Sequence, residues 1–248
     1  MQVKPIKTAI FKEGEDLLDF IVAQLSGPTP PSGVRHSPKV VLKENSVLVV
    51  TSKIVALAEK RTASMGDEKV KAKLIKQESE FAIETKYCWL TIKDGVVMAS
   101  AGIDESNASG KFILLPKNSY KSAELLHKAL KKIYKIKNLG ILITDSRTIP
   151  LRAGIVGMAL GYAGFKGIKD YRKKKDIFGR PFHFSRVDIA DSLAAAAVLP
   201  MGEGNEQKPL ALIEGAPIEF CDKVSRNELY IDPKDDMYRP LFSKLSKN

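Results

Sequence analysis

The sequence predicts an α+β fold: one large mixed domain in which antiparallel hairpins accompany helices. Three observations carry that expectation. Segments with apolar residues at helical spacing alternate with short continuous apolar runs, and the two patterns belong to amphipathic helices and buried strands. The pair Asp94-Gly95 stands between two strand-like runs, a strong signal for a tight hairpin. No tandem repeat, low-complexity tract or domain-length linker breaks the chain, so residues 1–248 are read as one domain. A chain of 248 residues with 44% hydrophobic content can supply a core for it.

Residues 15–25 place Leu17, Leu18, Ile21, Val22 and Leu25 on one stripe, which predicts a helix. Residues 27–36 are rich in proline, serine and glycine and read as an exposed loop before a strand at 46–51. Residues 67–87, with Val70, Leu74, Gln77 and Phe81 about a turn apart, predict a second, highly charged helix. Residues 89–92 and 96–99 form the hairpin around Asp94-Gly95, and the chain leaving it arrives at Asp104. A short strand at 112–115 ends at Pro116, and residues 119–135 predict a helix with Ala123, Leu126, Leu130 and Ile133 inside. Residues 139–144 read as a buried strand with Asp145 at its exit. Gly154, Gly157, Gly161, Gly164 and Gly167 recur over a mixed apolar stretch, where a missing side chain permits close packing or contact of backbone with ligand. Residues 188–199 predict an alanine-rich helix stopped by Pro200, with Glu203 just beyond.

The net charge of +11 attracts polyanions in general and selects none of them. A non-catalytic polyanion or nucleic-acid binder would show basic residues interleaved with exposed aromatics. Here aromatics are 7% and sit mostly inside apolar runs, so nucleic acid is not the expected partner. Two cysteines, Cys88 and Cys221, offer neither a disulfide framework nor metal spacing, which fits a reducing cytoplasm. The N-terminus has no long apolar h-region, and no apolar stretch approaches the roughly 20 residues of a membrane helix.

Three acidic residues stand where glycine or a strand end brings backbone close to a ligand. Asp104 closes Ala101-Gly102-Ile103-Asp104, Asp145 follows the 139–144 run, and Glu203 lies between Gly202 and Gly204. Carboxylates are preferred ligands of hard divalent cations, and magnesium in turn carries nucleotide phosphates. Taken singly, Asp104 reads better as a turn aspartate, and Asp145 can be a strand-end cap and Glu203 a surface charge in a glycine loop. Together they point to a metal-nucleotide enzyme.

The same segments carry a resemblance. Gly102-Ile103-Asp104 with Ser106-Asn107, Thr144-Asp145-Ser146, Arg152-Ala153-Gly154-Ile155-Val156-Gly157 and Met201-Gly202-Glu203-Gly204 resemble the signature segments of the coenzyme F420 gamma-glutamyl ligases. So do Val49-Val50-Thr51-Ser52-Lys53 and the stretch Asp176 with Phe178-Gly179-Arg180, in the same order along the chain. The resemblance implies an intertwined homodimer that joins L-glutamate to an anionic carboxylate acceptor, through an acyl phosphate made with GTP or ATP. It implies two Mg2+ or Mn2+ ions, with Asp104 and Asp145 holding the first and Ser146 and Glu203 helping to hold the second. Nucleotide contacts would fall on Thr8, Ala9, Ile10, Phe11, Ser52, Lys53, Asn107, Met201, Gly202, Glu203, Gly204 and Asn205. Arg152 reads either as a structural ion pair or as a clamp on a phosphate or carboxylate, which guanidinium geometry suits. Residues 148–152 and 205–207 depart from the common pattern and resemble a bacterial branch linked to folate, so F420-0 and folate stand as alternative acceptors. The basic cluster Arg172-Lys173-Lys174-Lys175 reads as a solvated loop, or as a patch that steers an acidic substrate.

Overall fold

The computed structural model describes residues 1–26 and 40–240, so the expected loop at 27–36 lies outside the described residues. The chain opens with β1 (Gln2–Ile6), α1 (Leu17–Gln24), β2 (Leu25–Ser26), β3 (Val40–Val41), β4 (Ser46–Thr51) and α2 (Ser52–Ala58). There follow β5 (Thr62–Ser64), α3 (Glu68–Glu78), β6 (Phe81–Glu84), β7 (Trp89–Lys93), β8 (Val96–Ala99) and β9 (Lys111–Ile113). The second half runs α4 (Ser119–Tyr134), β10 (Leu139–Thr148), β11 (Ile155–Ala163), β12 (Ile168–Asp170), β13 (Arg186–Asp188), α5 (Ile189–Met201) and β14 (Leu210–Glu214).

The frame is a five-stranded sheet in the order β1-β14-β4-β10-β11. β4 and β10 are parallel, and every other neighbouring pair in it is antiparallel. β4 reads as an unbroken apolar run because both its faces are covered. Leu48 and Val50 pack with Ile21, Leu126 and Leu130 under α1 and α4, while Val47 and Val49 pack with Ala190, Leu193 and Ala197 of α5. The mixed fold expected from the sequence is therefore observed, with helices on both faces of one sheet. Pro5 lies in β1, an edge strand, where a missing N–H costs no interior ladder bond.

Two glycines fix the packing of β11. A Cβ on Gly157 would meet the Ala194 carbonyl oxygen at 2.5 Å, and one on Gly161 would meet the backbone of Ser119 and Tyr120 at 2.5 Å. Both serve close packing, Gly157 against α5 and Gly161 against the start of α4. In the hairpin, Asp94 (φ 51) and Gly95 (φ 73) are both left-handed, the type I′ geometry that matches the twist of paired strands.

Three sequence expectations are corrected. The helix expected over 67–87 ends at Glu78, and Phe81 opens β6, which adds a third strand to the hairpin. Ser79 is extended, its hydroxyl returns to the Ile75 carbonyl at 2.7 Å, and Lys93 from the hairpin donates to the Glu78 carbonyl at 2.8 Å, so the hairpin itself closes the helix end. In α4 the buried stripe runs Ala123, Leu126, His127, Leu130 and Tyr134, leaving Ile133 exposed, because the i+4 position continues the face beyond Leu130. Pro200 does not stop α5 but sits in its last turn, which Gly202 closes by donating to the Val198 carbonyl at 3.0 Å. Among the described residues, no helix is long and apolar enough to cross a membrane.

Candidate active site

The register of the sheet brings four chain segments to one end. Thr51 ends β4 and pairs with Thr144 of β10, where the parallel ladder between the two strands stops. Ile6 faces Leu210 and Leu210 faces Val50, so the exit of β1 and the entry into β14 lie at the same end. Thr8 N–H donates to the Gln207 carbonyl at 3.0 Å, and Thr51 N–H donates to that of Pro209 at 3.0 Å. A crevice beyond the carboxyl ends of parallel strands is the usual ligand position in open sheets. Here it is a cavity of about 560 Å³.

Fifteen of the sixteen residues expected at a site line this one cavity: Thr8, Ala9, Ile10, Phe11, Ser52, Lys53, Asp104, Asn107, Asp145, Ser146, Met201, Gly202, Glu203, Gly204 and Asn205. Arg152 does not. It is exposed on the turn between β10 and β11, its N–H bonded to the Ile149 carbonyl at 3.1 Å. The basic cluster is also less available than its sequence suggests. Arg172 is bound to Asp170 through several hydrogen bonds, which hold the Asp170 carboxyl down at about 2, and Lys174 lies over the Tyr171 ring.

Each acid reaches the cavity by a different route. β8 leads into a short turn in which Ser100 and Ala101 are left-handed, secured where Thr91 Oγ1 accepts from the Ala101 N–H at 2.8 Å. Asp104 then forms an isolated bridge with Ile113, with both backbone bonds at 2.9 Å. Its carboxylate accepts from Ser106 N–H at 2.7 Å and lies 2.7 Å from Lys53 Nζ. Burial pushes this carboxyl up, but the hydrogen bond and charge of Lys53, with the donors of Ser106, outweigh burial and hold it below its ordinary value.

Asp145 lies within β10 rather than beyond its end, opposite Met158 and just after a bulge between Ile143 and Thr144. The bulge falls where the ladder to β4 stops, and bulges re-aim side chains next to active sites. Burial pushes the Asp145 carboxyl up to about 7, the charges of Asp104 and Glu203 add to the rise, and donors on Ser146 and Ser52 oppose it. Glu203 follows the last turn of α5 and accepts from the Ser146 hydroxyl at 2.5 Å. Asn107 Nδ2 donates to the Gly204 carbonyl at 3.0 Å, which ties the Asp104 loop to the Glu203 loop.

Among the described residues, no three histidine, cysteine or acidic side chains form a metal-holding group by themselves. Hydroxyls accompany the acids instead, Ser146 donating to Glu203, Ser52 to Asp145 and Ser106 to Asp104, so the lining offers oxygen donors of the hard kind. That suits magnesium, which takes one or two carboxylates and fills its other positions with water and phosphate oxygens. Burial is the main cause of the raised Asp145 carboxyl, and a bound cation would offset the smaller rise that the charges of Asp104 and Glu203 add.

Sequence reasoning missed Thr144, Ser106 and Glu206, all of which line the cavity. Glu206 folds back to accept from Gly204 N–H at 2.8 Å, and Thr144 Oγ1 is buried with no hydrogen-bond partner. All three flank residues already singled out, Thr144 beside Asp145, Ser106 beside Asn107 and Glu206 beside Asn205, so proximity in sequence was their available signal.

The F420-0:Gamma-glutamyl ligase family profile matches residues 5–215. Relatives carrying the name Coenzyme F420:L-glutamate ligase span most of the chain. The protein of Methanococcus maripaludis strain C7 is 34% identical over 219 residues, covering 81% of this chain and 88% of the relative. That of Methanocaldococcus jannaschii is 33% identical over 246 residues, covering 96% and 97%. That of Archaeoglobus fulgidus is 28% identical over 258 residues, covering 96% of each.

Proposed function

The chain belongs to the F420-0:gamma-glutamyl ligase family, and from that premise we propose that it joins L-glutamate to the carboxylate of coenzyme F420-0 in a nucleotide- and divalent-metal-dependent reaction. The single observation that supports this most is the meeting of Asp104, Asp145, Ser146 and Glu203 with Lys53 in one cavity at the sheet's carboxyl ends. Acids beside a phosphate-seeking ammonium suit phosphoryl transfer, which depends on positioning and charge neutralisation more than on a covalent nucleophile.

In the proposed reaction an acceptor carboxylate oxygen attacks the terminal phosphorus, and the bond from that phosphorus to the leaving nucleoside diphosphate breaks. The amine of L-glutamate then attacks the acyl carbon, inorganic phosphate leaves, and the nitrogen gives up a proton. Asp104 and Asp145 on one side, and Ser146 and Glu203 on the other, are the residues that would hold divalent cations. When bound, those ions supply neutralisation of phosphate charge. Ser52 and Ser146 orient the Asp145 carboxyl by donating to it. Ile10, exposed among the lining residues, gives the cavity an apolar surface against which a flat heteroaromatic ring can lie.

Arg152 acts elsewhere in this reading. Ile149, Leu151 and Ile155 around it are all exposed. Exposed apolar side chains grouped on one turn mark a surface that another molecule covers. In the proposed homodimer a second copy covers it, and Arg152 belongs to that interface.

The test is phosphate release from GTP or ATP by the purified chain with L-glutamate, comparing F420-0 with a folate monoglutamate as acceptor. Release that requires both L-glutamate and F420-0 is expected. Release with the folate alone would transfer the reaction to that acceptor, and none with either would refute a ligase acting on these compounds.

A further inference from the structure

Lys53 is the second residue of α2, and its ammonium is directed at one short loop. Nζ lies 2.7 Å from Asp104 Oδ2 and donates to Ser106 at 2.9 Å on the carbonyl and 3.4 Å on the hydroxyl. An oxygen that accepts from an ammonium at this range cannot also bind a divalent cation at the usual 2.0–2.6 Å or so without two positive charges in contact. The same carboxylate is thus claimed by Lys53 in the protein alone and by a metal in the reaction proposed above.

The loop itself is fastened independently of Lys53. Glu105 is paired with Lys71 of α3, and Asn107 holds the Gly204 carbonyl at 3.0 Å. With Asp104 also bridged to Ile113, freeing the carboxylate moves the flexible lysine stem rather than the loop. An ammonium that gives up a carboxylate needs another anion, and the lining of the cavity offers Lys53 a place to meet one. Side chains of Lys53 and Asp104 are 28% and 40% exposed, so the pair is weak enough to exchange.

We infer that Lys53 is an interlock: its ammonium keeps Asp104 from a bare divalent ion and releases it when a phosphate arrives to take the ammonium, so metal and nucleotide load together. This rests on the nucleotide- and metal-dependent reading and adds an order of loading to it.

The experiment measures Mn2+ binding by electron paramagnetic resonance, without and with the non-hydrolysable imidodiphosphate analogues of GTP and of ATP, in separate arms. It uses the wild type, Lys53→Met and Lys53→Arg. In the wild type, one analogue should tighten Mn2+ binding about tenfold, and by linkage Mn2+ should tighten that analogue equally. Lys53→Met should bind Mn2+ alone about tenfold more tightly than the wild type and lose the coupling, whereas Lys53→Arg should keep the weak binding. The wild-type arm is decisive even if a variant does not fold: equal Mn2+ affinity with and without either analogue overturns the interlock. Lys53→Met binding Mn2+ alone no better than the wild type also overturns it, while leaving metal-nucleotide binding by the wild type in place. Failure of Mn2+ to bind under any condition removes both the interlock and the reading beneath it.

Discussion

The Ser146 hydroxyl donates to the Glu203 carboxylate at 2.5 Å, joining the strand that carries Asp145 to the turn that follows α5. Fifty-seven positions apart in the chain, the two residues meet only because α5 returns along the sheet to the end where β10 leaves its parallel partner. Glu203 also contributes charge to the raised carboxyl of Asp145. Glu203→Gln keeps an acceptor for Ser146 and removes that charge. It should leave the fold intact, lower turnover by about 10²-fold or more, and move the Asp145 titration downward. Carbon-13 NMR of the aspartate carboxyls checks the titration; a rise or no movement would show that Glu203 does not act on Asp145.

Asp145 also predicts how stability varies with pH. Its folded-state value of about 7 is above the ordinary carboxylate value, so the folded state retains a proton that the unfolded state has lost. The associated stability is fully present below the unfolded value and is lost as pH rises through about 7. Asp145→Asn should therefore stabilise the metal-free protein at pH 8, on the order of 1–3 kcal/mol, with the gain shrinking as pH falls toward the ordinary carboxylate value, and should nearly abolish turnover. Mg2+ should stabilise the wild type more at pH 8 than at pH 5.5. Thermal melts at the two pH values check both expectations, and a gain from Asp145→Asn confined to acid pH would contradict the sign.

Gly157→Ala places a methyl 2.5 Å from the Ala194 carbonyl oxygen and forces β11 away from α5. A loss of about 1–3 kcal/mol is expected from overpacking of this kind. Chemical denaturation measures it. An unchanged midpoint and slope would mean that the two elements are not pressed together.

Leu151 is fully exposed between Ile149 and Ile155. In the proposed homodimer it is covered, so Leu151→Asp should convert a dimer into a monomer at micromolar concentration while the far-ultraviolet spectrum is kept. Sedimentation velocity decides it. A wild type that sediments as a monomer would leave this apolar face without its proposed occupant.

Much of the fold was legible because the signals were local. Asp94-Gly95 states its turn, the 139–144 run states a buried strand, and the spacing in 119–135 states a helix. The misread parts depend on distant partners. Nothing within residues 67–87 reveals that Lys93 will take the Glu78 carbonyl and that Phe81 will pair with Ile92. The acids of the site were recognisable from their glycine and strand-end settings, but their meeting depends on the order β1-β14-β4-β10-β11, which is a property of pairing rather than of any one segment. Arg152 was grouped with them in sequence and is not among the residues that line the cavity, because it is carried on the turn between β10 and β11, beyond the part of β10 that holds Asp145 and Ser146.

The proposed chemistry is tested most directly by the fate of one oxygen atom. F420-0 labelled with heavy oxygen in its acceptor carboxylate is incubated with the chain, L-glutamate, Mg2+ and nucleotide, and the released phosphate is analysed by mass spectrometry. One labelled oxygen transferred to each phosphate is expected, because the acceptor oxygen that attacks phosphorus leaves with it when the amine displaces phosphate. Glutamylated product accompanied by unlabelled phosphate would contradict an acyl phosphate and the role given to this cavity.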